Sequence, residues 1–128
     1  MDVMPELAKI GVLYTEGNYD VGLKALWHLW DSIPAPKTDT LNAYLVIEYG
    51  VAFSFKNGDL NEAQKWAVMA PDFAEVRHDM GEVELLIGKV AFERGDFELA
   101  REKFLIANAK SEGRVFEGKD KRYRDLIQ

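Results

Sequence analysis

Side chains that commonly carry out chemistry are sparse in this chain. It has two histidines, His28 and His78, and no cysteine. Without cysteine there is no thiol nucleophile, no thiolate zinc site and no disulfide framework, and a reducing compartment is the natural fit. His78 and Glu82 are four residues apart, so on a helix they would share a face and could grip a metal. The pattern supplies no third ligand, and the ordinary outcome of that spacing is a surface ion pair. His28 sits in Trp27-His28-Leu29-Trp30, where helical spacing turns it away from the Leu26/Leu29 stripe. No phosphate-binding glycine loop, HExxH motif or nucleophile elbow occurs. These residues predict no catalytic site, no metal and no cofactor.

The sequence offers instead large apolar side chains at helical spacings. Trp27 and Trp30 are three apart and share a face with Leu23, and Trp66 lies in a later apolar stretch. Such spacing favours the core between packed hairpins over an exposed binding spot. With 128 residues, 48% apolar and 30% charged, the chain is expected to fold as a single domain with a core of its own. A net charge of −6 excludes a general nucleic-acid binder, which needs a basic face. Residues 110–128 carry a balance of +2 and residues 1–109 therefore −8. An acidic body points to a basic protein partner, although solubility alone also favours net charge. No apolar run approaches the ~18 residues of a membrane span. Met1-Asp2-Val3-Met4-Pro5-Glu6 has neither the basic nor the apolar region of a signal peptide. The expectation is a cytoplasmic protein with no membrane contact.

The elements that would hold these residues are set by a repeat. Gly17-Asn18-Tyr19-Asp20-Val21-Gly22, Gly58-Asp59-Leu60-Asn61-Glu62-Ala63 and Gly95-Asp96-Phe97-Glu98-Leu99-Ala100 share one pattern. Glycine ends a helix in the left-handed conformation, Asn or Asp caps the next one, and a small residue lets the two helices approach. The spacing predicts helices near 5–16, 19–32, 40–56, 59–69, 73–94 and 96–110, with a short last one near 119–127. Breaks fall at Ser32-Ile33-Pro34-Ala35-Pro36-Lys37 and at Ala70-Pro71-Asp72, where proline removes donors and disfavours helix before it. Met80-Gly81 is a point where the long fifth segment could bend or stop.

Upstream of each turn an apolar residue and a glycine precede an aromatic: Ile10-Gly11-Val12-Leu13-Tyr14, Tyr49-Gly50-Val51-Ala52-Phe53 and Ile87-Gly88-Lys89-Val90-Ala91-Phe92. In this the chain resembles the tetratricopeptide repeat, whose first helix carries a Leu-Gly-x-x-Tyr pattern. The third copy keeps the family's spacing of seven residues from Gly88 to Gly95, whereas the others have six and eight. The small-residue positions recur at 41 and 37 residues, against about 34 in the family. The resemblance implies an all-α protein, a right-handed α-α superhelix of about three degenerate hairpins (about 5–33, 40–70 and 73–110) with a capping helix over 115–128. It also implies partner binding along the concave surface made by the first helices. By register that surface would draw on Val12, Asn42, Tyr44, Leu45, Glu48, Ala52, Phe55, Glu82, Leu85, Lys89 and Phe92. The basic clamp by which related domains hold acidic chaperone tails would fall on Ala8, Val12, Glu48, Glu82 and Leu86, so an acidic chaperone tail is not an expected partner.

The tail could touch RNA through its basic-aromatic mix, but capping is the favoured reading, because terminal repeats need their apolar face covered. Phe116, Tyr123, Leu126 and Ile127 would do the covering. Phe116, Gly118, Asp120 and Tyr123 are also similar to an ending found in short bacterial tetratricopeptide proteins encoded beside polymorphic (Rhs-type) toxins. That resemblance implies an immunity protein, an inhibitor that binds one cognate toxin. A scaffold or adaptor subunit of a larger assembly stays open as the alternative.

Overall fold

The structure is a computed structural model that describes residues 1–76 and 80–128. Three glycines lay out its turns. Gly17, Gly58 and Gly95 have φ of +80°, +69° and +85°, a left-handed conformation that costs a residue with a Cβ dearly. Each ends one helix of a hairpin. The three pairs are α1 (Met4–Glu16) with α2 (Tyr19–Ser32), α3 (Ala43–Lys56) with α4 (Leu60–Ala67), and α5 (Glu82–Glu93) with α6 (Phe97–Ser111), followed by a short α7 (Lys121–Asp125). Single 3₁₀ turns occupy Lys37–Asp39, Ala70–Phe73 and Arg114–Phe116. The described residues contain no strand. The all-α fold of helical hairpins with a C-terminal helix is thus the observed one.

The caps follow the expected chemistry at two of three turns. Asp59 accepts a hydrogen bond from Glu62 N–H at 3.0 Å and Asp96 from Leu99 N–H at 3.2 Å, each filling an orphan donor of the new helix. Asn18 makes no such bond; its amide donates to the Glu16 carboxylate instead.

The chain forms two compact units, Met1–Met69 and Ala70–Gln128, divided at the Ala70-Pro71 break. In the first, α2 lies between α1 and α3 in the packing order, contacting both. Leu7 and Ile10 of α1, Leu23, Leu26, Leu29 and Trp30 of α2, and Ala63 and Trp66 of α4 are buried. Trp66 stacks on Trp27 with centroids 3.8 Å apart and meets Trp30 edge-on at 6.2 Å, so the three tryptophans are packing residues. The Trp27 indole N–H donates to the Glu62 carboxylate. Lys37 closes the end of α2, its ammonium donating to the carbonyls of Trp30 and Ile33 at 2.7 and 2.9 Å.

In the second unit the Phe104 ring lies over Gly88, where an added Cβ would come within 2.5 Å of it. Ala100 and Ala107 are fully buried beside it. Burying a phenylalanine contributes about 1.5–3 kcal/mol. The tail joins this core: Phe116 and Tyr123 stand 5.6 and 5.3 Å from Phe104, with Leu126 and Ile127 packed against the same cluster. The tail is a cap, as its apolar spacing predicts.

Three helices differ from expectation. Among the described residues of the segment expected near 73–94, the α-helix covers Glu82–Glu93. Gly81 has φ +107°, and a Cβ there would stand 2.8 Å from the Ala107 carbonyl oxygen, so it turns the chain against α6 and α5 begins after it. At the other end Pro71 lies in the 3₁₀ turn Ala70–Phe73. Likewise α3 starts at Ala43, because Asn42 is left-handed at φ +67°. The seventh helix is also shorter than expected, Lys121–Asp125.

Candidate functional site

The first helix has more apolar surface than its hairpin covers. At 100° per residue, Val3, Leu7, Ile10 and Tyr14 fall on one arc and pack inward, with Val3, Leu7 and Ile10 buried. Met4, Ala8, Gly11 and Val12 continue that arc, while Glu6, Lys9 and Glu16 take the opposite side. Met4 and Ala8 are exposed and Val12 is 54% exposed. This free stripe borders a cleft of about 290 Å³ lined by Gly11 and Tyr14 from α1 and by Tyr49, Ala52 and Phe53 from α3.

Packing holds the cleft walls. Tyr14 meets Phe53 edge to face at 5.2 Å, and Tyr19 stands 5.7 Å from Tyr14 and 6.3 Å from Phe53. Phe53 is anchored from behind, because its ring lies against Gly22 of α2. Asn57 donates to the Asp20 carboxylate at 2.7 Å, tying the end of α3 to the start of α2. Three rings around a small-residue floor make an apolar cleft. Ring faces and edges of this kind take apolar, aromatic or cationic side chains.

Three groups of the tail have displaced acidities: Asp120, Arg122 and Tyr123. Burial first, and then its hydrogen bond to Glu93 at 3.0 Å, hold the Tyr123 hydroxyl protonated well above the usual tyrosine range. The hydrogen bonds from Arg122 hold the Asp120 carboxyl below the usual range. Arg122 also reaches Glu93 at 3.4 Å and lies over the Phe92 ring at 5.2 Å. These contacts clamp α7 to α5 and explain the tail's charges as part of the cap. A second cleft, about 240 Å³, is lined by Met80, Glu82, Ser111, Arg114 and Val115. Its ionised groups are engaged locally: Glu82 accepts from Met80 N–H at 2.9 Å, and Arg114 donates to the Ser111 carbonyl at 3.2 Å.

The sequence-expected surface divides between the two units. In the first, Val12 is exposed, Asn42, Leu45, Glu48 and Phe55 are half-buried, and Ala52 lines the cleft. Tyr44 is only 1% exposed, so it is a core residue and not the surface residue its register predicts. Almost the whole circumference of α3 is buried, and Tyr44, Ile47 and Val51 share one inward face. In the second unit, Glu82, Lys89 and Phe92 are half-buried. Leu85, 4% exposed, belongs to the core around Phe104. Phe92 packs on Phe97 and Tyr123, both at 5.2 Å. Gly11, Tyr14, Tyr49 and Phe53 are not on the expected surface, although Gly11-x-x-Tyr14 and Gly50-x-x-Phe53 carry the repeat.

His78 lies outside the described residues, and with it the expected His78/Glu82 pair. Among the described residues no group of three or more His, Asp or Glu side chains is placed to hold a metal. No described helix is long and apolar enough to cross a membrane. Compared with known proteins, the chain matches no family, no curated protein and no solved structure.

Proposed function

We propose that this chain is a non-catalytic, tetratricopeptide-like binding module that grips one basic protein partner in the bacterial cytoplasm and neutralises it, as an immunity protein does. The observation that carries this reading is the aromatic cleft between α1 and α3 beside the free stripe of Met4, Ala8 and Val12. An apolar receptor next to uncovered helix surface is the surface feature expected of a docking site. The net charge of −6 favours a basic partner, because complementary charge speeds encounter and rejects acidic competitors. Asn42, Leu45, Glu48 and Phe55, half-exposed in the same unit, are the rim of this reading; Glu82, Lys89 and Phe92 of the second unit are half-buried there.

The test is purification of the tagged chain from its native cell, followed by expression of the recovered partner alone and together with the chain. One stoichiometric, basic partner that arrests growth alone and not when co-expressed supports the inhibitor. Several harmless partners recovered as one assembly would establish the scaffold or adaptor instead. Recovery of no partner, with turnover of a small molecule by the purified chain, would refute binding as its role.

A further inference from the structure

The chain has ten glycines, and the fold accounts for nine. Gly17, Gly58, Gly81, Gly95, Gly113 and Gly118 have positive φ, where a Cβ is strained. The other four lie inside helices. Three of these carry a ring from elsewhere in the chain: Phe53 on Gly22, Trp66 on Gly50 and Phe104 on Gly88. In each the missing Cβ is the room the ring occupies. Gly11 is the exception. It is helical, within α1, and a Cβ there would meet nothing within 4 Å.

A glycine inside a helix weakens it relative to alanine, and here neither backbone conformation nor intramolecular packing requires it. Its open side faces the cleft walled by Tyr14, Tyr49 and Phe53. At about 290 Å³ the cleft exceeds the roughly 150 Å³ that suffices to hold a benzene ring. We propose that the notch at Gly11 is the seat of an aromatic side chain from the protein partner, set into α1 as Trp66 is set into α3 and Phe104 into α5. The chemistry of the occupant follows from its three counterparts, each an aromatic ring on a helical glycine. Its setting follows from charge: residues 1–69 carry nine acidic and five basic side chains, so the ring is carried on a basic segment. This inference rests on the reading of the cleft as a docking site and adds which atom group enters it.

The probes are indole and phenol, titrated into the isotope-labelled full chain while amide shifts are followed. Saturable shifts at Gly11, Tyr14, Tyr49 and Ala52 are expected, with at least a tenfold loss of affinity in Gly11→Leu, whose side chain fills the notch. Gly11→Ala is expected to bind less well and yet to unfold at a higher midpoint, since it removes a helix-weakening residue. Shifts that are absent, or equal in Gly11→Leu, overturn the proposal, and so does a lowered midpoint for Gly11→Ala, which would give the glycine a role in the fold. Random peptides displayed on phage and selected on the chain then separate the two readings. Peptides with an aromatic residue between basic ones, lost on Gly11→Leu, support both. Peptides that bind Gly11→Leu equally leave a docking protein without this notch. A dimer in sedimentation that Gly11→Leu dissociates would make a second copy the occupant and overturn the partner assignment.

Discussion

The first and third hairpins begin from the same device and finish it differently. Both place a glycine ahead of an aromatic in their first helix and a left-handed glycine at their turn. In the third, Phe104 fills the place over Gly88, and the tail then adds Phe116 and Tyr123 around that ring. In the first, no described residue sits on Gly11, and Met4, Ala8 and Val12 are exposed. Packing that serves stability is completed within the chain. Packing left incomplete around a rigid aromatic wall is available to another molecule, because apolar area buried on association is favourable in the same way as in folding.

The heaviest way to break that contrast is Phe104→Ala. Removing a fully buried ring at the centre of the C-terminal cluster should cost about 3–5 kcal/mol, read as a lower urea midpoint. A loss below ~1 kcal/mol would mean that the ring does not organise the unit. Next comes the glycine under it. Gly88→Ala forces a Cβ against the Phe104 ring and should cost about 1–3 kcal/mol, as should Ala100→Leu at the fully buried helix contact. An unchanged midpoint in either would contradict the close approach of α5 and α6.

Smaller effects sharpen the comparison. Tyr123→Phe deletes the hydrogen bond to Glu93 and should cost about 1 kcal/mol. Because the folded state raises the pKa of Tyr123, its contribution is complete below the usual tyrosine range and is lost as pH climbs through the folded value. The wild-type chain should therefore lose stability at strongly alkaline pH more steeply than Tyr123→Phe, a difference visible in paired pH scans. Gly11→Ala should run the other way from Gly88→Ala and gain about 0.5–1 kcal/mol, checked in the same urea series. The smallest effect belongs to Asp120. Arg122 lowers its pKa, so its support of α7 is present above the usual carboxylate range and fades as pH falls through the folded value. Asp120→Asn should lower stability slightly at neutral pH and flatten that acid limb; an identical acid limb would show that the pair does not anchor α7.

Much of this architecture is legible in the sequence because its causes are local. Positive φ at Gly17, Gly58 and Gly95, capping by Asp59 and Asp96, and the helical stripes of the tail depend on neighbours within a turn or two. Gly81 was legible as a possible stop, and only its approach to the Ala107 backbone shows that it is one. Asn18 fails as a cap through a contact with Glu16 that a residue-type rule does not weigh. The site was less legible. Tyr44 and Leu85 have the right register for a surface and lie in the core, because helix periodicity gives the angle of a side chain but not which neighbouring helices cover that angle.

By itself, then, the sequence determined the all-helical class, the turns, the tail's role as a cap and the packing role of the tryptophans, since backbone strain, capping and amphipathic spacing act over short distances. Tertiary structure decided which apolar residues are spent on the core and which are left over. Gly11 and Gly88 carry the same motif and differ only in whether a residue distant in the chain, 16 positions on in the case of Phe104, brings a ring to the notch. That outcome depends on how helices pair in space, and no local rule contains it.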